Sequence, residues 1–147
     1  MIFIHEILHI VIYSIICLPF FFYKKYRNYI NVGNFFVGLV ATFFIDLDHF
    51  VDYFLYAGFR FNLYEFVGGN YFGETNRILV LLHSWELVGL IFLCYLLNHK
   101  NSRYLWLLFV GIGMSVHIVF DNIWYGFNWE SYFSLYRVLH GFKATIF

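Results

Sequence analysis

Acidic and histidine side chains stand inside otherwise apolar stretches of this 147-residue chain. None of the nine Lys and Arg residues lies within these stretches, whereas six of the nine acidic residues do. An aspartate in the middle of a membrane helix costs about 2.5–3.5 kcal/mol on insertion scales, so protons, cations or histidines must neutralise these carboxylates. The acidic residues are Glu6, Asp46, Asp48, Asp52, Glu86 and Asp121, and the histidines that share their stretches are His5, His9, His49, His83 and His117.

The spacing of these residues places them on one side of each predicted helix. His5 and His9 are four residues apart in the first stretch, and the same interval separates His117 from Asp121 in the last. The donors also lie at a similar depth when counted from the same end of each stretch. Inward-facing histidines and carboxylates at such intervals are how helical bundles build metal sites. The predicted metal ligands are His5, His9, Asp46, Asp48, His49, His83, His117 and Asp121.

This donor set predicts the kind and number of metal ions. Imidazole and carboxylate without thiolate suit zinc, with manganese or iron as alternatives. The donors outnumber the three or four protein ligands of one catalytic zinc. We therefore expect two or three divalent ions, with aspartates bridging them.

Composition predicts an all-α, polytopic membrane protein. The chain is 62% hydrophobic and 12% charged, against roughly 25% charged residues in soluble domains. Four stretches approach or exceed the roughly 20 residues that span a bilayer, at about 2–23, 32–59, 78–97 and 104–127. We expect one transmembrane domain over residues 1–147, with four helices in a compact bundle and a short interfacial helix in the tail, 128–147.

Charge predicts the orientation and the partners. The loops 24–31 and 98–103 hold basic residues and no carboxylate, which places them in the cytoplasm by the positive-inside rule. Both termini, the 60–77 loop and the metal site then face the other side of an inner membrane. Nine basic residues balance nine acidic ones, so no field attracts nucleic acid. The expected partners are the bilayer and a membrane lipid or lipid-linked substrate, and a homo-oligomer stays open.

Residues 5–9 read HEILH, which fits the H-E-x-x-H pattern in which two histidines bind zinc and the glutamate is a general base. An intramembrane metalloprotease is therefore one alternative. Chains of Asp, Glu and His also relay protons, so a non-enzymatic bundle that binds or translocates metal ions or protons is another. Cys17 and Cys94 lack the Cys-x-x-Cys spacing and are interpreted as small apolar residues.

Three segments carry a family resemblance: DLDH at 46–49, HS at 83–84 and H-x-x-x-D at 117–121. Together with an early histidine, they resemble the membrane-bound metal-dependent hydrolases, a LexA-binding, inner-membrane-associated family. Ile45 stands where that family has proline, and the His-Arg that precedes its third motif is absent here. The ligand order is more distantly similar to zinc phospholipase C, which implies phosphoester chemistry. The residues that match the family motifs are His5, Asp46, Asp48, His49, His83, Ser84, His117 and Asp121.

The predicted function is metal-dependent hydrolysis of an ester, foremost a phosphoester, in a lipid or lipid-linked substrate that enters from the outer leaflet. Asp48 would bridge metals or accept the proton of the attacking water, and Glu86 or Glu6 would act as a nearby base or orienting group. Arg77 or Arg60, at the ends of the 60–77 loop, would bind the phosphate through paired N–H groups.

Overall fold

The computed structural model describes residues 2–23 and 30–143, and within these ranges the regular elements are helical. The basic residues of the predicted cytoplasmic loop 24–31, Lys24, Lys25 and Arg27, lie outside the described residues. The helices are α1 (Ile2–Phe22), α2 (Val32–Phe44), α3 (Asp48–Ala57), α4 (Leu63–Gly68), α5 (Asn70–Thr75), α6 (Trp85–Asn98), α7 (Leu105–Tyr125) and α8 (Ser134–Leu139). Short 3₁₀ segments occupy Ile45–Leu47, Ser102–Tyr104 and Trp129–Tyr132.

Three helical runs are long and apolar enough to cross a membrane, and they indicate a membrane protein. They are Ile4–Phe22, Val32–Ala57 and Ser102–Tyr125. Exposed aliphatic side chains on α1, such as Ile4 and Ile15 at 59% and 65% exposure, would have no favourable contact in water. The central helix is α7, which packs against α1, α2 and α6.

The predicted helix over 78–97 is wrong in its first seven residues. Residues 78–84 are not helical and include a turn at 81–82, and α6 begins at Trp85, with the Ser84 hydroxyl accepting a hydrogen bond from the Leu87 amide. The apolar composition of the segment concealed this break, because the turn is held by carboxylates that are distant in sequence. α6 has 14 residues, a length of about 21 Å against roughly 30 Å of bilayer hydrocarbon.

The tail packs onto the helices rather than standing apart from them. The predicted short helix is present as α8, and Ser131, Tyr132 and Arg137 are buried. Glu86 of α6 accepts hydrogen bonds from the backbone amides of Ser134 and Leu135, at 2.9 and 3.0 Å. The carboxylate thereby satisfies two of the amides that a helix leaves unpaired at its N-terminus.

α2 and α7 approach so closely that glycine is required on both helices. A Cβ atom at Gly38 would overlap the Phe109 carbonyl and the Tyr13 hydroxyl, and one at Gly113 would overlap the Gly38 carbonyl. Four residues after each glycine lie Thr42 and His117, which are hydrogen-bonded to each other. The glycine contact therefore sets the distance between two groups at the centre of the protein.

We predict that Gly38→Ala lowers the free energy of unfolding by about 1–3 kcal/mol, because the added methyl group meets a backbone carbonyl. The measurement is an SDS titration of the detergent-solubilised protein followed by circular dichroism. Gly89→Ala is the matched control, since no atom lies within 4 Å of a Cβ at that helical position. The control should match wild type or gain up to about 1 kcal/mol; equal stability of the two variants would contradict the close contact.

Candidate metal centre

Four side chains from three parts of the chain enclose one small space. The Nε2 atoms of His83 and His117 lie 3.1 Å apart. Oδ1 of Asp46 lies 3.5 Å from Nε2 of His83 and 3.2 Å from Nε2 of His117. Oδ2 of Asp121 lies 3.7 and 3.1 Å from the same two nitrogens. We call these four residues the cage.

Hydrogen bonds behind the two imidazoles fix which nitrogen carries the proton. Nδ1 of His117 lies 2.8 Å from the Thr42 carbonyl, which can only accept, so Nδ1 donates. Nδ1 of His83 lies 3.1 Å from Oδ2 of Asp48, an oxygen that also accepts from the Leu82 amide at 2.6 Å. When the rings are neutral, both Nε2 lone pairs therefore face the cage; when the rings are protonated, their Nε2–H groups face the carboxylates of Asp46 and Asp121 instead.

A set made only of acceptors fits a cation. Two imidazole lone pairs and two carboxylate oxygens repel one another at these distances unless a positive charge lies between them. Ligands about 2.0–2.1 Å from a tetrahedral zinc are themselves about 3.3 Å apart, close to the 3.1–3.7 Å separations in the cage. Buried histidine and aspartate clusters of this protein could therefore hold a metal ion.

A second group of donors adjoins the cage on α1. Oδ1 of Asp121 lies 2.9 Å from Nε2 of His5 and 3.3 Å from Nε2 of His9. Oε2 of Glu6 lies 3.7 Å from Nδ1 of His9. Both histidines are buried, and His5, Glu6 and His9 form one of the groups whose donor atoms could hold an ion.

His49 points its Nε2 toward the cage, 3.4 Å from Oδ1 of Asp46. Asp46, His49 and His83 form another group able to hold an ion. His83 and Asp46 already belong to the cage, so His49 adds a donor there rather than a separate centre. Of the eight predicted metal ligands, the structure brings together His5, His9, Asp46, His49, His83, His117 and Asp121.

Asp48 stands behind His83 and not beside the cage, where it was predicted to bind or bridge metals. Its Oδ2 accepts from the His83 ring and from the amides of Leu82 and His83. Asp48 thus orients the histidine through Oδ2, its Oδ1 is buried without a hydrogen-bond partner among the described residues, and the residue does not line the cavity described below.

Asp52 anchors the same turn one helical turn further along α3. Its two oxygens accept from the amides of Leu79 and Val80, at 2.8 and 3.0 Å. Val80 has a φ of 33°, a left-handed conformation that is costly for a β-branched residue. The carboxylates of α3 therefore hold a strained turn in the shape that presents His83.

Three predicted site residues lie away from the centre. Glu86 binds Ser84, Ser134 and Leu135, so the structure gives it a tethering position rather than that of a base. Arg60 and Arg77 are exposed and do not line the cavity described below. The sequence-based prediction placed both arginines in a substrate-binding loop over 60–77. In the structure, most of that segment forms the helices α4 and α5.

Sequence reasoning missed Arg137. The side chain is fully buried, and its Nη1 donates to the His83 carbonyl at 2.9 Å while Nη2 donates to the Ser134 hydroxyl at 3.1 Å. Burial lowers the pKa of Arg137, and the carboxylates of Asp48, Glu86 and Asp52 oppose that shift. Arg137 stands alone in an aromatic tail, so no periodic pattern of neighbouring residues could predict that it lies in the core.

A cavity of about 840 Å³ opens beside the donors. The donor residues line one part of it, and three tyrosines and a tryptophan add hydroxyl and indole N–H groups to the aromatic walls. The lining donor residues are His5, Glu6, Asp46, His49, His83 and Asp121. The remaining walls are aromatic or aliphatic, with Phe50, Phe66, Phe72 and Trp124 among them. The described lining contains no lysine or arginine.

Comparisons with protein-family models, curated proteins and solved structures return no match for this chain. The geometry of the described residues is therefore the basis for any functional assignment.

We predict that Asp52→Ala lowers the free energy of unfolding by about 1–3 kcal/mol or more, because the amides of Leu79 and Val80 lose their acceptor. The same SDS titration measures it. Glu130→Ala removes an exposed carboxylate and should leave stability within about 0.5 kcal/mol of wild type. An Asp52→Ala variant as stable as this control would show that the turn does not depend on Asp52.

Proposed function

We propose that this protein is a membrane-embedded, metal-dependent hydrolase that acts on an ester, foremost a phosphoester, of a lipid or lipid-linked substrate. The observation that supports it most is the cage, because with neutral rings its two imidazole lone pairs and two carboxylate oxygens converge on one position for a cation. His83, His117, Asp46 and Asp121 would hold the ion, which is foremost zinc. When bound, a divalent ion supplies a Lewis acid that acidifies water and polarises a phosphoryl oxygen.

Glu6 is the residue best placed to accept a proton from water. It lines the cavity, its side chain is 30% exposed, and Oε2 makes no hydrogen bond with another described residue. Asp48 and Glu86 are both held by other groups. The role that the sequence left open among three carboxylates is therefore proposed for Glu6.

The cavity walls favour a lipid over a peptide as substrate. A peptide backbone buried there would need partners for its N–H and C=O groups, and the aromatic and aliphatic walls offer few. A hydrocarbon chain has no such requirement, and its ester group would meet the donors at one side. This arrangement supports a lipid hydrolase over the intramembrane metalloprotease that HEILH also permits.

Ion translocation would need a continuous polar path on the far side of the donors. On the described helices, the hydroxyls of Tyr13, Thr42 and Ser115 are each bonded to a backbone carbonyl. Hydroxyls paired in this way are less available to relay an ion, which favours hydrolysis over transport.

The proposed topology is multi-pass, with α6 as a fourth and shorter span and both termini and the metal centre on the non-cytoplasmic side. The three long apolar runs and the short apolar α6 support the number of spans. Basic residues near the end of α6 and before α7, Lys100 and Arg103, support the orientation.

We predict that the purified protein binds at least one zinc ion per chain and that His117→Ala lowers zinc affinity by at least tenfold. Removing one of two ring ligands leaves a gap in the cage. Elemental mass spectrometry after equilibration with buffered zinc measures the content and the affinity. His99→Ala is the control, since that histidine is exposed and bonds only to its own helix. Absence of zinc from wild type in metal-replete buffer would refute the hydrolase proposal.

We predict that Glu6→Gln lowers hydrolysis by about 10²–10⁴-fold, the usual contribution of a general base, while zinc content stays at the wild-type level. Zinc-loaded protein would be incubated with vesicles of phosphatidylcholine and phosphatidylglycerol and the products followed by ³¹P nuclear magnetic resonance. Glu130→Gln, at an exposed position, should retain activity. Undiminished turnover in Glu6→Gln would remove Glu6 from the mechanism, and cleavage of a peptide library in place of the lipids would favour the protease.

A further inference from the structure

We propose that the HEILH segment forms a second metal centre, made of His5, His9 and Oδ1 of Asp121, and that this centre is the one open to substrate. The inference rests on the proposed function and assigns a different role to each of two ions. The cage would hold a permanent ion, and the second centre would bind the ion that substrate and water reach.

Asp121 divides its two oxygens between two sets of histidines. Oδ1 lies 2.9 and 3.3 Å from Nε2 of His5 and His9. Oδ2 lies 3.1 and 3.7 Å from Nε2 of His117 and His83. The two sets adjoin at His9 and His117, whose donor atoms lie within 4.8 Å of each other and of Asp121. A carboxylate whose oxygens face two adjoining imidazole sets can bridge two cations, as in two-metal hydrolytic sites.

Several atoms around the second centre are buried without a hydrogen-bond partner among the described residues. They are both ring nitrogens of His9, Nδ1 of His5 and Oδ1 of Asp121. Burying a polar atom unpaired costs about 1–3 kcal/mol. A cation between Nε2 of His5, Nε2 of His9 and Oδ1 of Asp121 would engage two of these unpaired atoms, Nε2 of His9 and Oδ1 of Asp121. The unpaired ring nitrogens of His5 and His9 on α1 thus point to a ligand by an observation additional to the cage.

The number of protein ligands indicates which of the two centres keeps a coordination position open for water or substrate. The cage offers four donors, and His49 adds another at its edge. The α1 centre offers two histidines and one carboxylate oxygen. Structural zinc sites are closed by four protein ligands, whereas catalytic sites have three and keep a position for water or substrate.

The α1 centre also has the base and the cavity beside it. The cavity is lined by His5 and Glu6 of α1 and also by Asp46, His83 and Asp121 of the cage. What distinguishes the second centre is therefore Glu6, which adjoins both His9 and the cavity. In this arrangement, the two histidines and the glutamate of H-E-x-x-H keep the roles their spacing predicts, and Asp121 of α7 supplies the third ligand.

The experiment is a cobalt titration of metal-free protein in lipid nanodiscs, read by elemental analysis and by visible absorption. Wild type should bind two ions per chain, and His9→Ala and the more peripheral His5→Ala should each bind one. Adding inorganic phosphate should change the wild-type cobalt spectrum, because one centre has an open position, and should leave the spectra of both variants unchanged. His99→Ala should behave as wild type, and circular dichroism verifies that each variant is folded.

Four results would overturn the inference, and only the last would also refute the proposed function. A single ion in wild type that His117→Ala removes and His5→Ala retains would eliminate the second centre while leaving the proposed function intact. Loss of all cobalt from a folded His5→Ala would mean one shared site. A phosphate response that survives in both α1 variants would place the open position in the cage. Absence of cobalt from wild type would refute the proposed function as well.

Discussion

The hydrogen bond from His117 Nδ1 to the Thr42 carbonyl is the interaction on which the centre depends. It joins α7 to α2 in the core, and it selects the tautomer that turns the Nε2 lone pair toward Asp46 and Asp121. Its length is set by the glycine contact one helical turn away, where a single methyl group would push the helices apart. Just beyond Thr42 the chain tightens into a 3₁₀ turn, Ile45–Leu47, and this turn carries Asp46.

A second layer of carboxylates supports the first. Asp48 and Asp52 sit one helical turn apart on α3 and bind the backbone of residues 79–83. Arg137 holds the opposite side of that turn through the His83 carbonyl. His83 is thus held by carboxylates and by Arg137 although it belongs to no helix, and the tail contributes to the site through Arg137 and through Tyr132, which lines the cavity.

Local spacing explains which parts of this arrangement could be predicted from the sequence. The pairs His5/His9 and His117/Asp121 each lie on one helix, so helical geometry alone puts their side chains together. The turn before α6 depends on contacts about 27–35 residues apart in the chain, which periodicity cannot report. For the same reason, Asp48 and Glu86 looked like candidates for chemistry, although backbone amides distant in sequence engage both of them.

The negative charge of the cavity lining affects the order in which metal ions and an anionic lipid could bind. The lining residues include Glu6, Asp46 and Asp121 and, in the described part of the chain, no lysine or arginine. An anionic head group entering this space would meet negative potential, and low-dielectric walls would strengthen the repulsion. If the protein is the lipid hydrolase proposed above, divalent cations would therefore load before an anionic lipid docks, and the supply of metal would control access of the substrate.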